Sequence, residues 1–304
     1  MPGINTNRTT ITLPTEVSSM IIQTMQDESA VMKFSNNIPL PGAGLTIPMI
    51  TSDPEANWVA ETSAKPVSNP GLDTKVMKAY KLAVIVPFSD EFVRDYKTLY
   101  DACVARIPGA LAKKFDATVF NGSAPGSGFD VLTGCTAQTI SGAGHSFYNA
   151  LVAADVAIAS NNGVCNGYAL SPQARGEMLG ALDDDKRPIF INNVSEGAIP
   201  RLLGQPVYYS KGLYFAGNAA SGTSGQSGYV AAKEDVLGFA GDWTKAWYGT
   251  VEGVKIDMSN QATLTINDTA VNLWEHNMVA VKAEIEVGFI ADTTVFNKIT
   301  RTHA

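Results

Sequence analysis

Apolar residues recur with two different periods along this chain, and the changes of period divide it. The clearest period of two lies near the end. There Val279, Val281, Ala283, Ile285, Val287 and Phe289 alternate with Met278, Ala280, Lys282, Glu284, Glu286 and Gly288. One face is apolar and the other largely charged, which predicts a half-buried strand. A helical period governs 96–121, where Tyr100, Cys103, Val104, Ile107, Leu111, Phe115 and Val119 stand three and four apart. That stripe predicts a helix of up to about seven turns at 3.6 residues per turn. Ser89 opens the helical region, Pro108-Gly109 should kink or split it, and Asn121-Gly122 should end it.

Upstream the pattern is extended. Residues 1–37 read as an arm, in which Val17, Met20, Ile21 and Met25 share one helix face. Residues 38–50 alternate apolar positions with prolines and glycines, which suits an edge strand or an exposed hairpin. Turn formers (Asp53-Pro54, Asn69-Pro70-Gly71) make 51–75 a loop tip. Residues 76–88 return as a strand, with Val76, Tyr80, Leu82, Val84 and Val86 on one parity and Lys81 on the other. Together 38–88 form one long two-stranded excursion. An isolated hairpin is marginal in water, so this one must rest on something else, and a neighbouring subunit is the natural candidate.

Between 129 and 250 helix and strand signals mix. A helix is expected over 146–161 and a strand over 164–170. Ser171-Pro172 is a cap with proline at the first helical position, opening a helix to about Leu182. Strands are expected over 206–210 and 243–251. The Gly/Ser-rich stretch 218–228 reads as a mobile loop. The sum is an α+β chain with a projecting hairpin and an extended arm.

Composition narrows the setting. Charged residues are only 17% of 304, against roughly 25% in typical soluble chains. A globular chain with so little charge is a membrane protein, a secreted protein, or one that buries its surface against copies of itself. No run approaches the ~18 apolar residues of a spanning helix. Residues 1–10 are polar with no apolar region behind them, so no signal peptide is expected. Cys103, Cys135 and Cys165 have no metal or disulfide spacing and read as buried thiols in a reducing interior. A net charge of -7 argues against tight nucleic-acid binding, which needs clustered cations.

Catalytic chemistry is not legible. His145, His276 and His303 stand at no ligand spacing, and each reads as structural or superficial; His303 lies where chain ends are commonly disordered. Gly225-Gln226-Ser227-Gly228 is one residue too short for a nucleophile elbow. The glycines of 122–128 lack the Lys-Ser/Thr ending of a phosphate loop, so they read as a connector. Asp183, Asp184 and Asp185 at a helix end point in different directions and read as a solvated loop or an inter-subunit ion partner. Trp243, Trp247 and Tyr248 lack the cations of a stacking platform and read as core or interface. The chain is expected to be no enzyme and to hold no cofactor or metal.

An ordered set of stretches resembles one family. It comprises Glu28-Ser29-Ala30-Val31, Leu45-Thr46-Ile47-Pro48, Ala56-Asn57-Trp58-Val59-Ala60-Glu61 with Lys65, Lys81-Leu82-Ala83-Val84-Ile85-Val86-Pro87-Phe88-Ser89-Asp90-Glu91, Phe115-Asp116-Ala117-Thr118-Val119-Phe120-Asn121-Gly122, Gly241-Asp242-Trp243 and Asn277-Met278-Val279-Ala280-Val281-Lys282-Ala283-Glu284. The set is similar to the major capsid proteins of tailed bacteriophages, with the Hong Kong 97-type capsid fold. The resemblance runs from about 14 to 300 and is weakest over 125–240.

It implies an N-terminal arm (1–37), an extended loop (38–88), a peripheral domain with a spine helix (89–128), an axial domain (129–250) and strands returning to the peripheral domain (251–304). It further implies self-assembly into hexamers and pentamers of an icosahedral head in the host cytoplasm. The head would enclose double-stranded DNA without sequence-specific binding, and the net negative charge would keep the wall from adhering to it. A portal, a decoration protein and a separate scaffolding protein are the candidate further partners, with no membrane involved. The arm begins almost at Met1, so scaffolding is a separate protein, is not used, or has been removed from this sequence.

Candidate inter-subunit contacts are Trp58 as an aromatic anchor, with Glu61, Lys65, Lys78 and Lys81 as ion partners that set register. The bland alternative for Trp58 is packing on its own hairpin. Some relatives crosslink a loop lysine to a neighbour's asparagine. Lys65 lies in a suitable segment, but neither the asparagine nor the catalytic glutamate is matched. The competing readings are an encapsulin-type nanocompartment shell and a soluble hydrolase with an unrecognised site.

Overall fold

A computed structural model describes residues 29–52, 54–61, 63–69, 71–140, 147–181, 189–190, 201–221, 230–266 and 269–303. Ser29 caps the first short helix, α1 (Ala30–Phe34), by accepting the Met32 N–H at 3.2 Å. Strand β1 (Asn36–Pro39) follows, with its proline at a sheet edge where no ladder donor is needed. Strands β2 (Leu45–Ser52) and β3 (Gly71–Met77) pair antiparallel as a ribbon, and β4 (Tyr80–Ser89) then enters a sheet. The expected single strand over 76–88 is thus two strands. The break at Lys78-Ala79 resets the parity: Met77, not Val76, is buried, while Leu82, Val84 and Val86 pack on the core as expected.

The long helix is divided where its proline stands. Helix α2 (Asp90–Asp95) is capped by Ser89, α3 (Lys97–Ala105) follows, and α4 (Ile107–Asn121) begins with Pro108 in its first turn. Proline has no N–H to donate to the preceding turn, so the break costs α4 nothing. Ile107, Leu111, Phe115 and Val119 are buried as the stripe predicts.

Two sheets share the rest. Strand β5 (Thr136–Ile140), helix α5 (Phe147–Ser160), strand β6 (Gly167–Leu170), helix α6 (Pro172–Gly180), β7 (Arg201–Leu202), β8 (Gln205–Tyr209) and β9 (Asp235–Gly241) come first. Ser171 caps α6 by accepting the Ala174 N–H at 3.2 Å. Then follow β10 (Ala246–Thr250), β11 (Lys255–Ser259), a ribbon of β12 (Thr263–Ile266) and β13 (Thr269–Asn272), β14 (Met278–Ala291) and β15 (Phe296–Arg301). The first sheet runs β1-β10-β14-β11. Val287 pairs with both Tyr80 and Thr250, so β4 lies on the opposite edge of β14 from β10. The second sheet runs β5-β15-β9-β6-β8-β7.

Two of the chain's passages between the sheets use the same local device. After β9 and again after β14 an aspartate opens one turn of tight helix. Asp242 accepts the Thr244 N–H at 3.1 Å and Asp292 that of Thr294 at 3.2 Å. The residue after Asp242 fills the junction. Trp243 stacks on Phe34 at 5.2 Å, meets Phe296 edge-on at 5.1 Å, and donates its Nε1–H to Gly167 O at 3.1 Å. The expected strand over 243–251 therefore starts only at Ala246, and Trp243 is core, as is Tyr248.

Cys135 and Cys165 are buried as expected and Cys103 is partly exposed. The arm face of Val17 to Met25, Asp183 to Asp185, His145 and the Gly225 to Gly228 stretch lie outside the described residues.

Candidate subunit interface

The β2–β3 ribbon pairs with no third strand among the described residues. Its root is held in three ways. Met77 is buried with Leu40 and Ile290. Lys75 Nζ donates to Asp130 Oδ2 at 2.9 Å and to Ala291 O at 2.8 Å, while the same Asp130 oxygen accepts the Ala291 N–H at 3.1 Å. The Lys78 N–H donates to Gly128 O at 2.9 Å. Gly128 has φ +81, and a Cβ there would stand 2.6 Å from Val76 O, so only glycine allows this approach. The ribbon leaves the body with a fixed aim.

Its tip is bare. Every described residue of 54–69 is exposed, and the ordering there is local: the Glu55 N–H donates to Ser68 Oγ at 2.7 Å. Trp58 has 105% relative exposure and Val67 88%. Packing of Trp58 on its own hairpin is therefore overturned. Indole surface of this size, unburied, disfavours a free subunit by about 5 kcal/mol relative to a buried position, from ~200 Å² at 25 cal/mol per Å².

The five residues read from the sequence fall in three places. Trp58, Glu61 and Lys65 share the tip, and Lys78 is exposed at the root. Lys81 lies on β4, where its ammonium reaches Glu286 at 3.4 Å and Glu284 at 3.8 Å on β14 of its own chain. As an inter-subunit partner Lys81 is thus already engaged. It belongs to a charged face spanning β4, β14 and β11, where Lys282 also meets Asp257 at 3.1 Å. The cation at the ribbon that sequence reasoning missed is Lys75. Its partner Asp130 is 55 residues away, and no local pattern links them.

Three further features escaped the sequence reading. The ribbon β12–β13 also pairs with no third strand among the described residues, and Trp274 beyond it is 70% exposed. Asp116 on α4 is fully buried and holds the start of α1: it accepts from Ser29 Oγ at 2.5 Å, Ala30 N at 2.9 Å and Val31 N at 3.4 Å. Burial pushes its carboxyl up to about 6, against the pull of these donors. The available signal was its spacing of four from Ala112 and Phe120, both buried, on the α4 stripe.

At the chain's end, buried Asp235 receives Arg301 at 2.7 Å and His303 at 2.6 Å, and Arg301 also reaches Glu177. Burial alone would raise the Asp235 carboxyl. Arg301, the Gly217 N–H and His303 outweigh it and hold the group well below the usual carboxylate range. His303 is therefore engaged and ordered, contrary to expectation for a residue so near a terminus.

Comparison with known proteins identifies the family and the fold. The model of the phage capsid family matches residues 9–291. The "Probable major capsid protein gp17" of Mycobacterium phage L5 is 29% identical over 293 residues, covering 91% of this chain and 85% of that protein. The "Major capsid protein" of Staphylococcus phage 80alpha is 24% identical over 295 residues, covering 95% and 84%. Among solved structures, a chain from Gordonia phage Cozz superposes with a TM-score of 0.72 at 20% identity, covering 91% of this chain and 87% of that one. A chain from the capsid of the native GTA particle gives 0.62 at 14% identity, covering 90% of each. These structural likenesses establish the fold.

Proposed function

Because this chain belongs to the phage capsid family, we propose that each subunit builds the shell by laying its β2–β3 ribbon over the next. The chain is a major capsid protein of a tailed-phage head, a structural component of the virion and not an enzyme. It self-assembles into shells.

The arrangement into hexamers and pentamers around DNA is our reading, as is the division of the chain. In that division the five-stranded sheet with α4 is the peripheral unit, and the six-stranded sheet with α5 and α6 is the axial unit. Residues 1–37 are the arm; of 38–88 the β2–β3 ribbon is the extended loop while β4 belongs to the five-stranded sheet, and of 251–304, read as returning to the peripheral domain, β15 belongs to the six-stranded sheet instead. Portal, scaffolding and decoration proteins are the proposed partners.

One observation carries the ribbon reading: a firmly rooted ribbon ends in a tip whose tryptophan is fully exposed among the described residues. A heterologous contact of this kind repeats head to tail and closes into rings. Many such contacts add through avidity, so each can be modest. Glu61 and Lys65 at the tip and Lys78 at the root would set register, as exposed pairs are worth about 0–1 kcal/mol.

The test is Trp58→Ala. The variant should purify as a folded subunit with unchanged far-UV circular dichroism and should give few particles by negative-stain microscopy. A normal particle yield would sink the ribbon reading. Particle contents test the enclosed cargo: nuclease-protected DNA supports a head, and a protein cargo would instead support a nanocompartment.

A further inference from the structure

A cleft of about 250 Å³ opens between β4 and α4. Its floor is Phe115, Phe129 and Val287, and its walls are Tyr80, Leu82 and Pro125. The rings are already in edge-on order: Tyr80 and Phe129 centroids lie 6.2 Å apart, and Phe115 and Phe129 6.3 Å. The lip is fixed as well. Tyr80 donates its hydroxyl to Ser127 O at 2.7 Å, and Gly126 lies so close to the ring that a Cβ would collide with it. Lys114 and Lys81 stand at the rim. Lys81 is shared with Glu284 and Glu286, whereas Lys114 is exposed and meets no carboxylate among the described residues.

We propose that this cleft receives Trp58 of a second copy of the chain, with Glu61 of that copy set against Lys114. The proposal rests on the ribbon-docking reading above and names the receptor for it. Three observations carry it.

An aromatic-walled hollow has the size and chemistry for an indole, and edge-on aromatic contacts add about 0.5–1.5 kcal/mol to area burial. The tip carries a carboxylate three residues after its tryptophan, and the rim carries a cation that meets no carboxylate among the described residues. Finally, a subunit's own tip is out of reach. The ribbon is anchored at Lys75 and Met77 beside the cleft. Its ladder then runs from the Leu45–Met77 rung to the Ser52–Gly71 rung, about 20 Å at 3.4 Å per residue, before the tip begins. A ribbon tip that enters the cleft therefore comes from another copy, and the contact is one-way and repeating.

The experiment uses assembled wild-type particles made from equal amounts of isotopically light and heavy chains. A carbodiimide, which joins a carboxylate to an amine only in direct contact, is applied, and linked peptides are read by mass spectrometry. The expected product joins Glu61 to Lys114 with mixed isotopes. Ser123→Trp, which fills the cleft, should lower particle yield as Trp58→Ala does, and in the particles that form the link should fall roughly tenfold, corresponding to a loss of about 1.4 kcal/mol. It should persist when Trp58 is replaced by Phe.

Intact particles in which Glu61 links elsewhere, or not at all, overturn the receptor site and leave ribbon docking standing. A link from Lys114 to Glu16, Asp27 or Glu28 would put the N-terminal segment in the cleft and equally overturns it. Failure of the wild-type chain to form particles would count against the shell reading itself.

Discussion

Asp116→Asn tests whether the start of the described chain is latched by a buried carboxyl. The side chain is fully buried on α4 and receives one hydroxyl and two backbone N–H groups from residues 29–31. Its carboxyl is raised from 3.8 to about 6 by burial. In the unfolded chain it titrates near 3.8. The folded state therefore holds the proton more tightly, and acidification from above pH 6 to below pH 4 stabilises the fold through this group. The shift of about two pH units corresponds to roughly 3 kcal/mol.

Asparagine keeps one carbonyl acceptor and places an amide where the Ala30 N–H now donates, leaving that donor unpaired at about 1–3 kcal/mol. At pH 7.5 the lost acceptor and the relieved charge nearly cancel. At pH 4.5 the wild type is already protonated and only the loss remains. The difference between the two proteins should thus grow on acidification, reaching about 1–3 kcal/mol. That is a few degrees in Tm, at about 2 °C per kcal/mol for a chain of this size. Calorimetry of wild type and variant in one assembly state, at both pH values, reads this directly. Proteolysis should report faster cleavage around 29–34 in the variant at pH 4.5. A difference that shrinks on acidification would mean an Asp116 stabilised as the anion, and would refute the reasoning.

Other outcomes follow from the same contacts. Lys75→Met removes both bonds from the ribbon root to Asp130 and Ala291; the subunit should fold, while cleavage within 54–69 should quicken several-fold, and an unchanged rate would mean that Met77 and the Lys78–Gly128 bond suffice to set the root. Asp235 is held low, so its contribution is present above the unfolded value near 3.8 and is lost as pH falls below it. Asp235→Asn should flatten the acid-unfolding curve below about pH 4 and lower Tm at pH 7, and a wild-type acid limb would count against the Arg301–His303 clasp. Burial pushes the Cys135 thiol up to about 12 and also raises Cys165, whereas Cys103 is partly exposed. A thiol reagent at pH 8 should therefore label Cys103 first, and fast labelling of Cys135 would contradict the packing.

Much of the fold was legible because it rests on local rules. The serine caps at Ser89 and Ser171 and the breaks at Pro108 and Gly122 each follow from backbone chemistry within four residues. The alternation over 278–289 is one face of a strand whose apolar parity is buried from Val281 to Phe289. Reading went wrong where two rules met. The ribbon and β4 looked like one strand because an extended chain carries its alternation across a short break, and only the partner strands, β2 for one and β14 for the other, reveal two registers.

The sequence by itself determined the class of the chain, its elements and its family, since periodicity, caps and ordered motifs are written in neighbouring residues. It also marked the low charge, 17%, as a sign of surface shared with other copies, and the exposed tip around Trp58 is where the proposed contact lies. Tertiary structure alone decided which charges are spent at home and which remain free. Lys81 lies on β4 but is neutralised by glutamates some 200 residues on, Lys75 is tied to Asp130 and Ala291, and Lys114, at the rim of an aromatic cleft, meets no carboxylate among the described residues. The physical reason is that an ion pair or a hollow depends on distance in space. Strand register sets that distance, and the residues that meet share no sequence neighbourhood.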